Sequence, residues 1–350
     1  MPTPRLFVSA LAAVTAALLM GGVDRSAQAA TAPPTVTISV AGDTILGNTP
    51  QLPSDPSGYL APVHAALTSG AQVVFGNLEG TLTSATSGKC GGSNGGSCYA
   101  FRNPPSFGSY FAGAGFTVMN TANNHSHDYG SAGLRDTLSA IQRARMTYAG
   151  QPGQIDYVTV RGVRVAVVAF APYSSSNNLL DLRAGASLIR RAHSQASVVL
   201  VYMHAGAEGS GADHVTGREE HYLGEDRGNP RAFAHMAVDN GASAVVASGP
   251  HVLRGMEFYR QHLIAYSVGN FANFHDFSSS GVLAKSVVLR LTVSSTGAFR
   301  SAKLISIVLS RTGQATPGGD SVSFVNGLSQ QDFGSAAPVI AANGSVTPRH

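Results

Sequence analysis

Apolar and polar positions alternate along residues 35–40, which are rich in β-branched side chains and read as a first strand. Over 59–69 the spacing changes: Leu60, Val63, Ala66 and Leu67 recur at helical intervals. Short apolar runs at 72–75, 116–119, 198–202 and 244–247 read as buried strands. Leu134, Leu138 and Ile141 predict a helix running to about Arg145, and two more helices are expected over 185–196 and over 230–240, the latter opened by Pro230. Arg161-Gly162 turns a hairpin between 156–160 and 163–170. Residues 257–259 pair with 263–266, and 286–293 with 298–307. Early strands therefore alternate with helices and later ones form hairpins, which predicts an α/β (α+β) fold. The stretch 209–229 is polar and glycine-rich and reads as a long connection. Beyond Arg311 a short helix is expected near 324–328, in a C-terminal extension over 311–340, followed by a disordered tail over 341–350.

The N-terminus follows a different pattern. Arg5 precedes an apolar run over 6–20, and Ala27-Gln28-Ala29 is a small-x-small cleavage site, so residues 1–29 read as a secretory signal peptide and 30–34 as a linker. An uncleaved anchor is the alternative, although the run is short for a membrane span. Removing 1–29 takes away Arg5, Arg25 and Asp24 and leaves 21 basic and 18 acidic residues. With no basic run standing out, nucleic acid is not an expected partner. Export also suits the cysteines. Cys90 and Cys98 bracket a flexible Gly/Ser loop and are expected to form a disulfide in an oxidising compartment.

Polar residues collect where the strands stop. Asp43 follows the first strand, Glu79 the second, Asn124 and His125 the third, His204 the strand at 198–202, and His251 the strand at 244–247. In open α/β sheets such ends face a common crevice. Each residue alone is accounted for by a cap or a satisfied turn. Together, carboxylates, an amide oxygen and imidazoles make the donor set of a divalent metal site for one or two ions, with Mn, Zn, Fe and Mg all compatible. His125 is the candidate general acid, and Asp128 the group that orients it.

The blocks Ala41-Gly42-Asp43, Asn77-Leu78-Glu79-Gly80, Ala122-Asn123-Asn124-His125-Ser126-His127-Asp128-Tyr129-Gly130, His204-Ala205-Gly206, Gly249-Pro250-His251 and Tyr266-Ser267-Val268-Gly269-Asn270-Phe271 resemble those of the CapA family of poly-γ-glutamate capsule-synthesis proteins. The resemblance spans residues 35–310. It implies a four-layer αββα sandwich similar to calcineurin-like metallophosphoesterases, in an exported or envelope-associated bacterial protein. The implied role is synthesis, export or anchoring of an anionic γ-linked glutamate polymer, alongside the envelope's polymer-synthesis machinery. Phosphoesterases of this fold begin with Asp-x-His and end with His-x-His. Here Ile45 follows Asp43-Thr44, and Gly249-Pro250 precedes His251, so two imidazoles are missing. The bridging carboxylate of that fold is read as Glu79.

Two functional readings follow. One is a metal-dependent hydrolase or transferase acting on an anionic polymer or phosphoester. Asp43, Glu79, Asn124, His204 and His251 then hold metal, His125 and Asp128 are catalytic, and Arg102, Glu208, Arg254 and Asn270 contact substrate. Glu208, His214 or Glu225 would lend further metal ligands from the polar connection. The other reading is a polymer-binding scaffold with weak or no catalysis on the same fold.

Overall fold

The computed structural model describes residues 1–4, 34–91 and 98–349. Nearly all of the expected signal peptide and most of the linker lie outside the described residues. Among the described residues, no helix is long and apolar enough to cross a membrane.

The described residues from Pro34 onward form one compact unit. Its first part runs β1 (Thr35–Ile45), α1 (Pro56–Leu60), α2 (His64–Thr68), β2 (Val73–Leu78), β3 (Thr81–Leu82), β4 (Arg102–Asn103), α3 (Gly108–Ala114), β5 (Val118–Asn120), α4 (Gly130–Arg143) and β6 (Thr147–Ala149). The single helix expected over 59–69 is broken by a 3-10 turn at Ala61–Val63, because Pro62 has no N–H for the helical ladder. The middle part runs β7 (Asp156–Val160), β8 (Val163–Phe170), α5 (Leu182–Gln195), β9 (Val198–His204), β10 (Glu220–Tyr222), β11 (Glu225–Gly228), α6 (Pro230–Asp239), β12 (Ala244–Ser248), β13 (Met256–Tyr259) and β14 (His262–Ala265). Asp181 caps α5 by accepting from Ala184 N, and Asn229 caps α6 by accepting from Ala232 N, with Pro230 in the first turn. The polar connection 209–229 is not structureless: it carries the β10–β11 hairpin. The last part runs β15 (Asn270–Asn273), β16 (Lys285–Ser294), β17 (Phe299–Leu309), β18 (Ala315–Pro317), α7 (Ser321–Phe333), β19 (Val339–Ile340) and β20 (Ser345–Thr347).

Two large sheets result. One has the order β19-β20-β17-β16-β1-β2-β5-β6, with β15 also on β1 and β18 on β17. The other has the order β13-β14-β12-β9-β8-β7. Strand alternation explains how they stack. Val36, Ile38, Val40, Val73 and Phe75 of the first sheet share a buried cluster with Val165, Val167, Leu200, Tyr202 and Val246 of the second. The opposite faces carry helices. Val74, Leu78 and Met119 pack with Leu60, Leu67, Phe111 and Ile141. Ala166, Val168, Val199 and Val201 pack with Ile189, Ala192, Phe233 and Ala237. The layers are therefore α, β, β, α.

The C-terminal segment differs from expectation at its end. Helix α7 is longer than the predicted 324–328 and stacks Phe333 on Tyr266, with centroids 5.2 Å apart. Of the tail over 341–350, which composition marks as disordered, the described residues 341–349 are ordered by pairing. Its β20 lies antiparallel to β17, through Ala302 to Val346 and Lys303 to Ser345. Three residues suffice there because Val346 is fully buried against the inter-sheet cluster.

Candidate metal centre and cleft

Sheet register gathers the polar strand ends. In β1, Asp43 lies beside Asn77 of β2 and Asn270 of β15. In the second sheet, Ser248 at the end of β12 lies beside His204 at the end of β9. Because the sheets face each other, ligand atoms of Asp43, Glu79 and His204 come within 4.8 Å of one another, and all three residues are fully buried. Gly42 lets β1 approach closely enough: a Cβ there would stand 1.8 Å from Gly269 O, which accepts from Asp43 N at 3.1 Å.

Asp43 accepts from Ser248 Oγ, from Gly249 N (3.2 Å) and from Asn77 Nδ2 (2.8 Å). His251 Nδ1 lies 3.2 Å from Asp43 Oδ2 and 2.8 Å from Asn270 Oδ1, which leaves Nε2 facing Glu208 at 3.7 Å. Burial pushes the Asp43 carboxyl up. The hydrogen bond and charge of His251 and the Ser248 hydroxyl outweigh it and hold Asp43 below the usual carboxylate range. Glu79 moves the other way: burial, reinforced by the charge of Asp43, pushes it well up. Burial drives His204 down to about 3, so its imidazole is neutral and fit to be a ligand. Glu79 Oε1 and His204 Nε2 are buried without hydrogen-bond partners among the described residues and lie 3.5 Å apart; Asn124 Oδ1 is likewise buried and unpartnered. Unsatisfied oxygen and imidazole atoms converging in a dry place fit a divalent cation.

His125 lines the cleft together with His251, Glu208 and Asn270. Its Nδ1 lies 2.8 Å from Asp128 Oδ2, which also accepts from Phe101 N at 2.6 Å. Lys89 Nζ lies 2.7 Å from the other Asp128 oxygen and donates to Asn124 O at 3.2 Å. The Cys90–Cys98 disulfide closes the loop between these contacts. Glu208 pairs with Arg227 Nη1 at 2.9 Å, and Arg227 Nε lies 3.1 Å from Glu225. Two hollows of about 320 Å³ each meet here, sharing Tyr99, His125, Glu208 and Tyr222.

The two arginines expected to grip substrate do other work. Arg254 is fully buried, its guanidinium occupied by Glu220 (3.1 and 2.7 Å) and by the carbonyls of Ala212 (2.6 Å) and Ala207 (3.4 Å). It ties down the loop after β9. Gly206 passes so close that a Cβ would stand 2.7 Å from Arg254 Nη1. Arg102 turns its guanidinium to Ala85 O and over the Tyr129 ring at 5.3 Å. His214 pairs with Asp332 at 2.7 Å and is half exposed, so it lends nothing to the metal donors.

Asn77 reads in the sequence only as a strand-end amide, yet it is the hub of the floor. Its Oδ1 accepts from Asn120 Nδ2 (2.6 Å) and Asn123 Nδ2 (2.9 Å), which fixes its NH2 toward Asp43, Glu79 and His204 Nδ1 (3.4 Å). The place between Asp43 and His204 is thus taken by Asn77, with Glu79 beside it. Ser248 carries no sequence signal either. Because Ser248 donates to Asp43, it accepts from Tyr202 OH, whose ring packs on Phe75 between the sheets at 4.8 Å.

The family described as Bacterial capsule synthesis protein PGA_cap matches residues 37–275. The chain is 34% identical over 180 residues to the capsule biosynthesis protein CapA of Bacillus anthracis, covering 45% of this chain and 40% of that protein. It is 30% identical over 173 residues to the PGA biosynthesis protein CapA of Bacillus subtilis (strain 168), covering 45% and 42%. The chain thus spans about two fifths of the length of these curated relatives. Among solved structures, a hypothetical protein from Thermus thermophilus aligns with a TM-score of 0.47 at 15% identity, covering 77% of this chain and 98% of that one. A 5'-nucleotidase precursor from the same organism aligns at 0.42 and 14%, covering 78% and 54%.

Proposed function

The chain belongs to the bacterial capsule synthesis protein family PGA_cap, and we propose that it serves in the cell envelope as an exported, metal-dependent hydrolase or transferase in the synthesis, export or anchoring of a capsule polymer. The observation that carries this reading is the convergence of Asp43, Glu79 and His204 within 4.8 Å, next to a cleft in which an imidazole is already oriented by a carboxylate. Asp43, Glu79 and His204 would hold a divalent ion; Asn124, whose Oδ1 is buried without a partner among the described residues, is a further candidate ligand, and His251, held protonated beside Asp43, would have to give up its proton to join the set. When bound, such an ion supplies a Lewis acid and an activated water. The rest is the work of the chain. Asp128 and Lys89 hold His125 with Nδ1 engaged, so that Nε2 can deliver a proton to a leaving oxygen or nitrogen. Asn270 keeps His251 in one orientation, and Glu208 faces the substrate side.

One observation favours the scaffold reading: the NH2 of Asn77 already stands among the three donors and satisfies part of their charge. The test is metal content and turnover on the same preparation. Stoichiometric divalent metal, lost in Glu79→Gln and His204→Ala, with phosphodiester or polymer cleavage lost in His125→Ala, is the expected result. Metal-free protein that binds polymer undiminished in Asn124→Ala would establish the scaffold instead.

A further inference from the structure

The two hollows that meet at His125 and Glu208 are chemically unlike. One is ionic: Lys89 and Arg227 line it, and each is matched by carboxylates, Lys89 by Asp128 and Arg227 by Glu208 and Glu225. The other is aromatic, lined by Tyr99, Phe101, Tyr222 and Phe277 together with Asp276. Its described lining residues include the carboxylates of Glu208 and Asp276 and no lysine or arginine.

Tyr99 and Phe101 lie nearly parallel, with centroids 6.4 Å apart, and form a two-ring platform whose outer member is half exposed. Phe101 covers His125 at 4.5 Å, and Phe277 covers His251 at 4.6 Å. Phe101 meets Phe277 edge-on, at 5.5 Å and 87°. The wall therefore bends rather than leaving a parallel slot for a flat base. At its foot Asp276 Oδ2 is buried without a partner among the described residues, and burial holds this carboxyl up to about 7, where it both accepts and donates hydrogen bonds. An aromatic platform beside a lone carboxyl suits a ring with an apolar C–H face and hydroxyls on its edge. A carboxylate-rich chain is disfavoured in the same place, because the imidazoles that line it are already matched, His251 by Asp43 and Glu208 and His125 by Asp128, so that no unmatched positive charge lines it among the described residues.

From this we infer that the aromatic hollow is a subsite for a neutral, hydroxyl-bearing sugar ring, so that the group seated beside His125 is a glycan residue rather than the acidic polymer. The inference rests on the cleft being the working site proposed above and names the substrate class that this site takes. An acidic polymer would meet the cleft only through the glycan unit to which it is joined or from which it is released.

Saturation-transfer NMR and calorimetry with chitotetraose, cellotetraose and a γ-linked glutamate decamer test it. At least one neutral tetrasaccharide should bind the full chain, and Tyr99→Ala, at a half-exposed position, should weaken it roughly tenfold, the loss of one aromatic face. Asp276→Ala should weaken it as well. Metal content and thermal stability of Tyr99→Ala should match those of the parent. No saturation transfer to either tetrasaccharide at millimolar concentration, tetrasaccharide binding that survives both substitutions, or a decamer that competes for the same aromatic resonances would overturn the inference. Metal assayed in parallel separates the two readings: sugar binding by metal-free protein would sink the hydrolase and leave the subsite standing.

Discussion

Replacing Arg254 by alanine should unfold the domain at a markedly lower temperature, although an arginine beside a cleft invites a substrate role. The side chain is fully buried and its partner Glu220 nearly so. Truncation removes a two-pronged pair at 3.1 and 2.7 Å and leaves the Glu220 carboxylate without its counter-charge. Breaking a buried pair from one side costs about 3–5 kcal/mol, because the surviving charge stays desolvated. The carbonyls of Ala212 and Ala207 lose a donor too. At about 2 °C per kcal/mol for a domain of this size, Tm should fall by roughly 6–10 °C. Arg254→Lys should rescue little, since an ammonium cannot reproduce the fork. Arg254→Met combined with Glu220→Leu removes both charges, so it should recover most of the loss, and the two single costs should exceed that of the pair. Calorimetry gives Tm, and hydrogen exchange over 206–222 reports whether the loop carrying Glu208 has come loose. A Tm for Arg254→Ala within about 1 °C of the parent, with polymer or sugar binding abolished, would refute this account and restore a direct substrate role.

Three further outcomes are expected. Asp276 is pushed up to about 7 by burial, so the folded state holds its proton more tightly than the unfolded chain does. Stability from this group is complete below the unfolded value near 4 and is lost as pH rises through about 7, so Asp276→Asn should gain stability over the parent at pH 8 and little at pH 4, read by urea unfolding at both. Gly42→Ala places a Cβ 1.8 Å from Gly269 O, so it should cost about 1–3 kcal/mol or more and lower metal occupancy by displacing Asp43; unchanged occupancy would show that the strand end tolerates the shift. Replacing Cys90 and Cys98 by serine should cost about 2–3 kcal/mol through the short loop they close and should free Lys89 from Asp128, seen as moved chemical shifts of the His125 ring beside Asp128 at a single pH.

The layered plan is legible because 35–40 marks its inter-sheet face with Val36, Ile38 and Val40 against Thr35, Thr37 and Ser39, and 163–170 is apolar on nearly every position, as a strand covered by the other sheet and by helices must be. Asp43, Glu79 and His204 stand out because each ends such a run. Shorter elements leave no such trace. Helix α3 is Gly-Ser-Tyr-Phe-Ala-Gly-Ala, β6 is three residues, and β20 is Ser-Val-Thr; partners far along the chain make each of them regular. Asn77 and Ser248 escape because small polar residues at a strand end are ordinarily turn formers; pairing of β1 with β2 sets Asn77 beside Asp43, and only the facing sheet brings Ser248 to it. Arg254 misleads for a related reason. Arginine is rarely buried, and nothing near it in the sequence announces Glu220, which lies 34 positions away.

Tyr202 joins two regions that usually adapt separately. Its ring belongs to the packing between the sheets, and its hydroxyl ends, through Ser248, on Asp43. Repacking around Phe75 would therefore be transmitted as a tilt of one carboxylate. Laboratory selection for a tougher interior should keep returning changes in ion preference that nobody asked for, and variants tuned to a different ion should carry their compensating changes two strands deep.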